Sequence, residues 1–218
     1  MPALAFPFFA SPLFMNFPKK SLGWLRALIV VTGLSAVPGA WAVDYSRDIK
    51  PIILDAIALL RADRRFHFRF VGDGEGKGAS LAAAQARGLE IEFVPRVDFS
   101  AVPQQISDAD IVLGVFGDTP QADMALANKV LQPLAMCKTV LAGDTHSIRE
   151  HFVHGEHLQL VPLANAAALA DGLRALAADA GMRTRLAEAG YERFRERLTP
   201  RVVGADLRAR LERLLTAR

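Results

Sequence analysis

Asn128-Lys129-Val130-Leu131-Gln132-Pro133-Leu134-Ala135-Met136-Cys137-Lys138-Thr139-Val140-Leu141-Ala142 is the stretch from which the fold can be read. Its two halves have different periods. Val130, Leu131, Leu134 and Ala135 recur three and four residues apart, and the spacing predicts a helix over 130–137 that buries one stripe. Thr139-Val140-Leu141-Ala142 has no polar alternation, so it reads as a strand covered on both faces. On the helix, Asn128, Lys129 and Gln132 share another face, because positions three and four apart lie above one another. Pro133 conflicts with a regular helix, since its ring clashes with the carbonyl four residues back. Either Asn128 and Lys129 precede the regular helix, or the helix bends. Both arrangements leave the polar trio near a helix N-terminus, where anions are favoured. A cation beside two amides suits a diphosphate next to a ribose.

The same helix–strand rhythm extends in both directions. Upstream, Ile53–Ala62 is helical in spacing, Phe66–Val71 alternates like a strand, and Ala79–Arg87 reads as a helix stopped by Gly88. Ile91–Val94 and Asp110–Val115 are further strands. Downstream come a short helix over Ser147–Phe152, a last strand at Leu158–Val161, and three helical stretches over Ala166–Ala177, Met182–Arg197 and Val202–Leu215. This order predicts an α/β, Rossmann-like fold: one parallel sheet of five or six strands from about residue 53 to 160, with helices on both faces. Each right-handed crossover must lay its helix across the sheet. Ligands in such sheets sit beyond the carboxyl ends of the strands, which directs attention to Gly72–Gly78, Phe116–Lys129 and Gly143–Ser147. In the first of these, Gly72-Asp73-Gly74-Glu75-Gly76-Lys77-Gly78, four glycines let backbone N–H groups approach a phosphate. It matches neither a P-loop nor a full GxGxxG, and a plain strand-to-helix turn explains it equally well.

Composition narrows the function classes. Hydrophobic residues make up 51% and charged residues 22%, enough for a buried core. The net charge is only +3 and the arginines are interspersed with acids, so no basic stripe for nucleic acid exists. The single cysteine, Cys137, excludes an internal disulfide and a multi-cysteine metal site, and its apolar neighbours predict a buried, inert thiol. His151, His154 and His157, with Glu150 and Glu156, invite a metal reading. Their spacing of three turns each ring through about 300° on a helix, so they do not converge, and a solvated turn is expected. His67 reads as a packed or surface histidine. No metal and no resident cofactor is expected.

The first 45 residues differ from the rest. Met1–Phe17 carries no charge, Lys19 and Lys20 precede the apolar run Leu22–Val31, and Pro38-Gly39-Ala40-Trp41-Ala42 ends it. These are the parts of a secretory signal peptide. Alternatively, Leu25–Thr32 is a buried strand of the domain, since its LIVV core is good parallel-strand sequence. Val43–Ile52 resembles the segment after the signal peptide in some exported cytochrome-c-like proteins. No CxxCH follows, so no haem function transfers. The expected division is an anomalous head over 1–45, signal-like or arising from a misplaced start, and a nucleotide-sugar-binding domain over 46–218.

Asn128-Lys129-x-x-Gln132-x-Leu134-Ala135-x-x-Lys138-x-Val140 resembles the donor-domain signature of the retaining, GT4-like glycosyltransferases (glycosyl transferases group 1) of the GT-B fold. Their common pattern is N-K-x-x-E-x-x-A-x-G-K-P-V. Phe68–Gly74, Ile91–Phe93 and Ser107–Leu113 stand in the family's order upstream, and Ile148–Pro162 follows. The tail Ala168–Phe194 resembles the helices that end these domains. The resemblance covers roughly residues 51–194. It implies the C-terminal half of a GT-B fold, binding a UDP-sugar or GDP-sugar whose glycosyl group goes to a hydroxyl of a glycan or lipid-linked acceptor. Peripheral membrane contact is compatible with such an acceptor. Gln132 takes the place of a glutamate that holds the ribose, Asn128 and Lys129 border the diphosphate, and Arg96 sits where the base is contacted. Gly72, Asp73 and Gly74 complete the expected donor site. The acid usual eight residues before the ribose ligand is replaced by Met124. The family's phosphate-clamping pair has only Arg47 and Lys50 as nearby counterparts, so no catalytic residue is assigned. The acceptor domain has no room before Pro51, which predicts an incomplete transferase, inactive alone. Sugar nucleotides are made in the cytoplasm, where this reading places the chain. The rival reading, favoured if the head is a true export signal, is a non-catalytic α/β module that binds a nucleotide or a protein.

Overall fold

The structure is a computed structural model and describes residues 25–30, 50–72 and 77–216. Among these residues six strands form one sheet: β1 (Leu25–Val30), β2 (Phe66–Val71), β3 (Ile91–Val94), β4 (Ile111–Leu113), β5 (Thr139–Gly143) and β6 (Gln159–Val161). Nine helices accompany them: α1 (Lys50–Leu60), α2 (Lys77–Ala86), α3 (Val102–Ser107), α4 (Pro120–Met124), α5 (Asn128–Ala135), α6 (His146–Arg149), α7 (Ala166–Ala178), α8 (Ala180–Arg197) and α9 (Pro200–Thr216). The strand order is β3-β2-β1-β4-β5-β6, and every neighbouring pair is parallel.

Alternation along each strand divides the core into two layers. Phe68 and Phe70 of β2, Ile111 and Leu113 of β4, Leu141 of β5 and Val161 of β6 point to one face. There they meet Ile53, Leu54, Ile57 and Leu60 of α1 and Leu169, Leu173 and Leu176 of α7. Val140, Ala142 and Leu160 point to the other face, against Val130 and Leu134 of α5 and Phe194 of α8. On that same side Val71 and Val112 meet Ile106 of α3. Both faces are thus covered at β4 and β5, which is why these two strands read as continuous apolar runs. Gly190 of α8 lets that helix lie close: a Cβ there would stand 2.4 Å from His157 O and 2.7 Å from Leu134 Cδ2.

Of the two readings of Leu25–Thr32, the strand is the one that forms. β1 pairs with β2 along its whole length and with β4 at Ala27 and Leu28. The sheet therefore reaches into the segment set apart as residues 1–45, and its centre lies there. The rest of that head, with Met1–Phe17, Lys19 and Lys20, lies outside the described residues, as does Arg47.

Of the two arrangements open at Pro133, Asn128 and Lys129 do not precede the helix: α5 begins at Asn128 and carries Pro133 inside it. Proline withholds one N–H, and the helix stops two residues later, so little is lost. Cys137 is exposed rather than buried. Lys138 N donates to Pro133 O at 2.9 Å and Cys137 N to Leu134 O at 3.0 Å, the paired bonds of a Schellman helix end. Cys137 occupies its left-handed position, φ 55°.

Candidate functional site

Because all strands run the same way, their carboxyl ends share one edge, and the three segments singled out in the sequence leave from it after β2, β4 and β5. The strand order reverses at β1, with β2 on one side and β4 on the other, so the crevice that such sheets offer to ligands opens above the ends of β1 and β4. Gly72 leaves β2 with φ 132°, a backbone conformation that a side chain would strain, and its N–H donates to Val94 O at 3.0 Å. Asp73 and Gly74 lie outside the described residues. Arg96 follows β3 by two residues and is exposed. Strand spacing puts the exits of β2 and β4 about 10 Å apart, and those of β3 and β4 about 15 Å apart.

Asn128, exposed, and Lys129, half-buried, form the first turn of α5, and half-buried Gln132 stands one turn on. The crossover from β4 to β5 fixes this placement: it must bring α5 back with its amino end at the carboxyl edge. Three later helices begin on side-chain caps. Thr145 Oγ1 accepts from Ile148 N at 3.3 Å, Asn165 Oδ1 from Ala168 N at 2.9 Å, and Asp179 Oδ1 from Met182 N at 2.7 Å. At α5 the cap position is Ala127, which has no side-chain acceptor. A helix start without such a cap, carrying a lysine and an asparagine in its first turn, is suited to an anion.

The shelf behind it is tight. Gly143 N donates to Val115 O at 2.7 Å, Ala164 N to Phe116 O at 3.0 Å, and Asp144 N to Val161 O at 2.9 Å. A Cβ on Gly143 would lie 2.6 Å from Val115 O and 2.5 Å from Leu163 Cδ2, so only glycine lets the exits of β4 and β5 meet. Arg149 pairs with Asp144 and holds its carboxyl below the usual range. Asp123 Oδ1 accepts from His146 N at 2.6 Å, which commits the acid next to Met124 to the start of α6. Met124 itself is exposed.

The other candidates are accounted for locally. His67 Nε2 and Glu92 Oε2 share a hydrogen bond at 2.9 Å, and Arg69 Nε donates to the same oxygen at 2.8 Å. These two partners, His67 first, keep the Glu92 carboxyl below its ordinary value. Between α6 and β6, Val153 N donates to His157 Nδ1 and Leu160 N to His154 Nδ1, each at 3.0 Å. Burial pushes the His157 imidazole down. Among the described residues no group of three or more His, Cys, Asp or Glu is arranged to hold a metal. Lys138 has a structural role that is not legible in the sequence. Its ammonium donates to Ser107 O at 2.6 Å and Ala109 O at 3.0 Å, closing the carboxyl end of α3. Its signal was a lone lysine between an apolar helix and a buried strand.

A doubly wound parallel sheet with a polar helix start beside its switch point is the architecture of a Rossmann-like nucleotide-binding domain. The model of the family described as glycosyl transferases group 1 matches residues 46–179, and the chain belongs to that family. Comparison with curated protein sequences gives no match. Solved structures share the fold, which is that of the C-terminal half of a GT-B glycosyltransferase. The C-terminal domain of the group 1 glycosyl transferase LpcC from Francisella tularensis has a TM-score of 0.62 at 18% identity, covering 81% of this chain and 87% of that one. Sucrose-phosphate synthase from Thermosynechococcus elongatus has a TM-score of 0.70 at 16% identity, covering 90% of this chain and 47% of that one. HepE of Anabaena, solved in complex with UDP-glucose, has a TM-score of 0.64 at 17% identity, covering 88% and 49%. The chain thus spans about half the length of the latter two.

Proposed function

We propose that this chain binds a nucleoside-diphosphate sugar, with UDP or GDP as the nucleotide, at the carboxyl edge of its sheet, and serves a retaining transfer of the glycosyl group to an acceptor hydroxyl. Gly72 approaches the donor by backbone, and Asp73 and Gly74, outside the described residues, are assigned to the same donor site by their place in the sequence. Arg96 reaches the base, Asn128 and Lys129 meet the diphosphate, and Gln132 accepts from a ribose hydroxyl. The observation that carries this reading is the start of α5, which has no side-chain cap and bears Asn128 and Lys129 beside the switch point. The leaving diphosphate gathers charge as the glycosidic bond breaks. A fixed ammonium and helix N–H dipoles stabilise that charge without a metal. The HepE complex with UDP-glucose supports the donor class.

The acceptor, a glycan or a lipid-linked sugar, is held by a second domain across the cleft, and this chain alone performs no transfer. Calorimetric titration of the 218-residue protein with UDP and with GDP tests the donor site. Lys129→Ala weakens binding by about 1.5–3 kcal/mol, the range for a charge-assisted hydrogen bond, and Gln132→Ala by about 0.5–1.5 kcal/mol. Gln132→Glu strengthens it by restoring a charged acceptor. A Lys129→Ala protein that binds every nucleoside diphosphate as well as the parent does would refute the assignment.

A further inference from the structure

β6 is an edge strand, with β5 on one side and, among the described residues, no strand on the other. Successive residues of a strand turn their N–H and C=O groups to opposite sides. Val161 O accepts from Asp144 N on the β5 side, so Leu158 and Leu160 present their groups to the open side. The chain closes that side with its own preceding turn. Gly155, at φ 75°, folds residues 153–157 back along the strand, and its N–H donates to Leu158 O at 2.9 Å. His154 bridges to Leu158, and its Nδ1 accepts from Leu160 N at 3.0 Å. The next outward position is Pro162, which has no N–H to offer.

A second imidazole fastens the turn. His157 Nδ1 accepts from Val153 N at 3.0 Å, while its Nε2 faces Glu156 Oε1 at 3.5 Å. The His157 side chain is 12% exposed, and its ring meets Phe152 edge-on. An imidazole accepts at Nδ1 only while it is neutral and carries its proton on Nε2. A further proton sets N–H against N–H, in the pH range where histidine ordinarily titrates. The surrounding charges are few. Asp144 faces His154, and Glu156 faces His157 together with Arg193 and Glu196 of α8. At the end of α6, Arg149 is paired with Asp144, Glu150 lies beside His146, and His151 meets Phe152. β6 itself brings no ionisable group. Burial and Arg193 oppose a charge on His157 in the closed turn, and release of the turn relieves both.

We propose that residues 153–157 form a proton-operated latch on the open edge of the sheet: protonation of His154 and His157 releases the turn from β6 and uncovers Leu160 N–H. An uncovered edge is a template for another strand, so the closed latch keeps β6 from pairing with other chains. The latch lies at the amino end of β6, away from the carboxyl edge that a second domain would face. It contains no donor-site residue and stands independently of that reading.

Amide hydrogen exchange of the full chain, resolved by residue and expressed as protection factors, tests it between pH 7.5 and 5.5. Each proton taken up on release favours the open form by at most about tenfold per pH unit, so protection of Leu160 N–H and Val153 N–H falls about tenfold or more on acidification. Protection of Val140 and Leu141 in β5 stays constant, because the opening is local. His154→Ala lowers Leu160 protection already at pH 7.5. His154→Asn/His157→Asn keeps two acceptors that cannot titrate and abolishes the fall. The proposal is overturned if Leu160 protection in the parent does not change with pH, or if it falls in step with that of Leu141. It is equally overturned if the double asparagine variant keeps the parent's fall. No nucleotide enters these measurements, so their failure and that of the donor site are told apart.

Discussion

Replacing Cys137 with glycine stabilises the fold. At the end of α5 the chain must turn through a left-handed residue so that Lys138 N and Cys137 N can reach the carbonyls of Pro133 and Leu134. Cys137 takes that conformation at φ 55°. A residue with a Cβ pays about 1–2 kcal/mol there, because the Cβ crowds the following carbonyl oxygen. Glycine pays nothing in the folded state but loses about 0.5–1 kcal/mol more chain entropy on folding. The difference leaves a gain of about 0.5–1 kcal/mol, and little packing is lost because the residue is exposed. For a chain of this size that gain raises Tm by about 1–4 °C. Urea unfolding of parent, Cys137→Gly and Cys137→Ala under reducing conditions measures it, with alanine as the control that keeps the Cβ and removes the thiol. The expected order of midpoints is glycine above alanine, with alanine close to the parent. If glycine gives no increase, or alanine gives the same one, backbone strain at this position is not the cause.

Lys138→Met removes the ammonium that holds Ser107 O and Ala109 O, and costs about 1.5–3 kcal/mol, visible as a fall in the urea midpoint. The pH dependence of stability follows from His157, whose imidazole is pushed down by burial while its Nδ1 accepts from Val153 N. A folded value below the unfolded one means that this contribution is complete above about pH 6.5 and is lost as pH falls through the folded value. Its slope cannot exceed about 1.4 kcal/mol per pH unit, the limit for one proton. Urea titrations between pH 5 and 7.5 on parent and His157→Asn test it. The asparagine keeps an acceptor near Val153 N but cannot titrate, so a variant with the parent's full slope would refute the assignment. The depressed carboxyls of Asp63, Glu92 and Asp144 act in a lower window, because their ordinary values already lie near 4.

The strands were the most legible part. Phe66–Val71 and Ile91–Val94 form with the expected bounds, since apolar residues alternate there with His67, Arg69 and Glu92, which pair with one another on one face. β1 was ambiguous for a physical reason: LRALIV satisfies an apolar signal segment and a central strand equally. What separates the two is partners at residues 66–71 and 111–112, far along the chain. α3 was not foreseen. Val102–Ser107 offers one fully buried side chain, Ile106, and two glutamines, so its stability comes from the sheet beneath it and from Lys138 at its end. The candidate site divides the same way. Asn128, Lys129 and Gln132 were readable from helix phase and sheet polarity, whereas Arg96 came only from likeness to a family.

The signature at Asn128–Val140 within that likeness separates in the structure into two kinds of residue. Asn128 and Lys129 open α5 at the carboxyl edge, where a ligand can reach them. Val130 and Leu134 are fully buried between α5 and the sheet, and they set the helix's height and rotation. At the far end Cys137 provides the left-handed turn, and Lys138 joins that turn to α3. The glycine of the family pattern falls on Cys137, the position where the backbone takes a positive φ, so this departure concerns helix closure and not ligand contact. The departure at Gln132 is of the other kind. It lies on the polar face one turn inside the helix start, where exchanging a carboxylate for an amide alters the charge offered to a ligand and leaves the buried stripe untouched. The two substitutions in one motif therefore predict separable effects: position 137 moves the unfolding midpoint and not the donor affinity, while position 132 moves the affinity and not the midpoint.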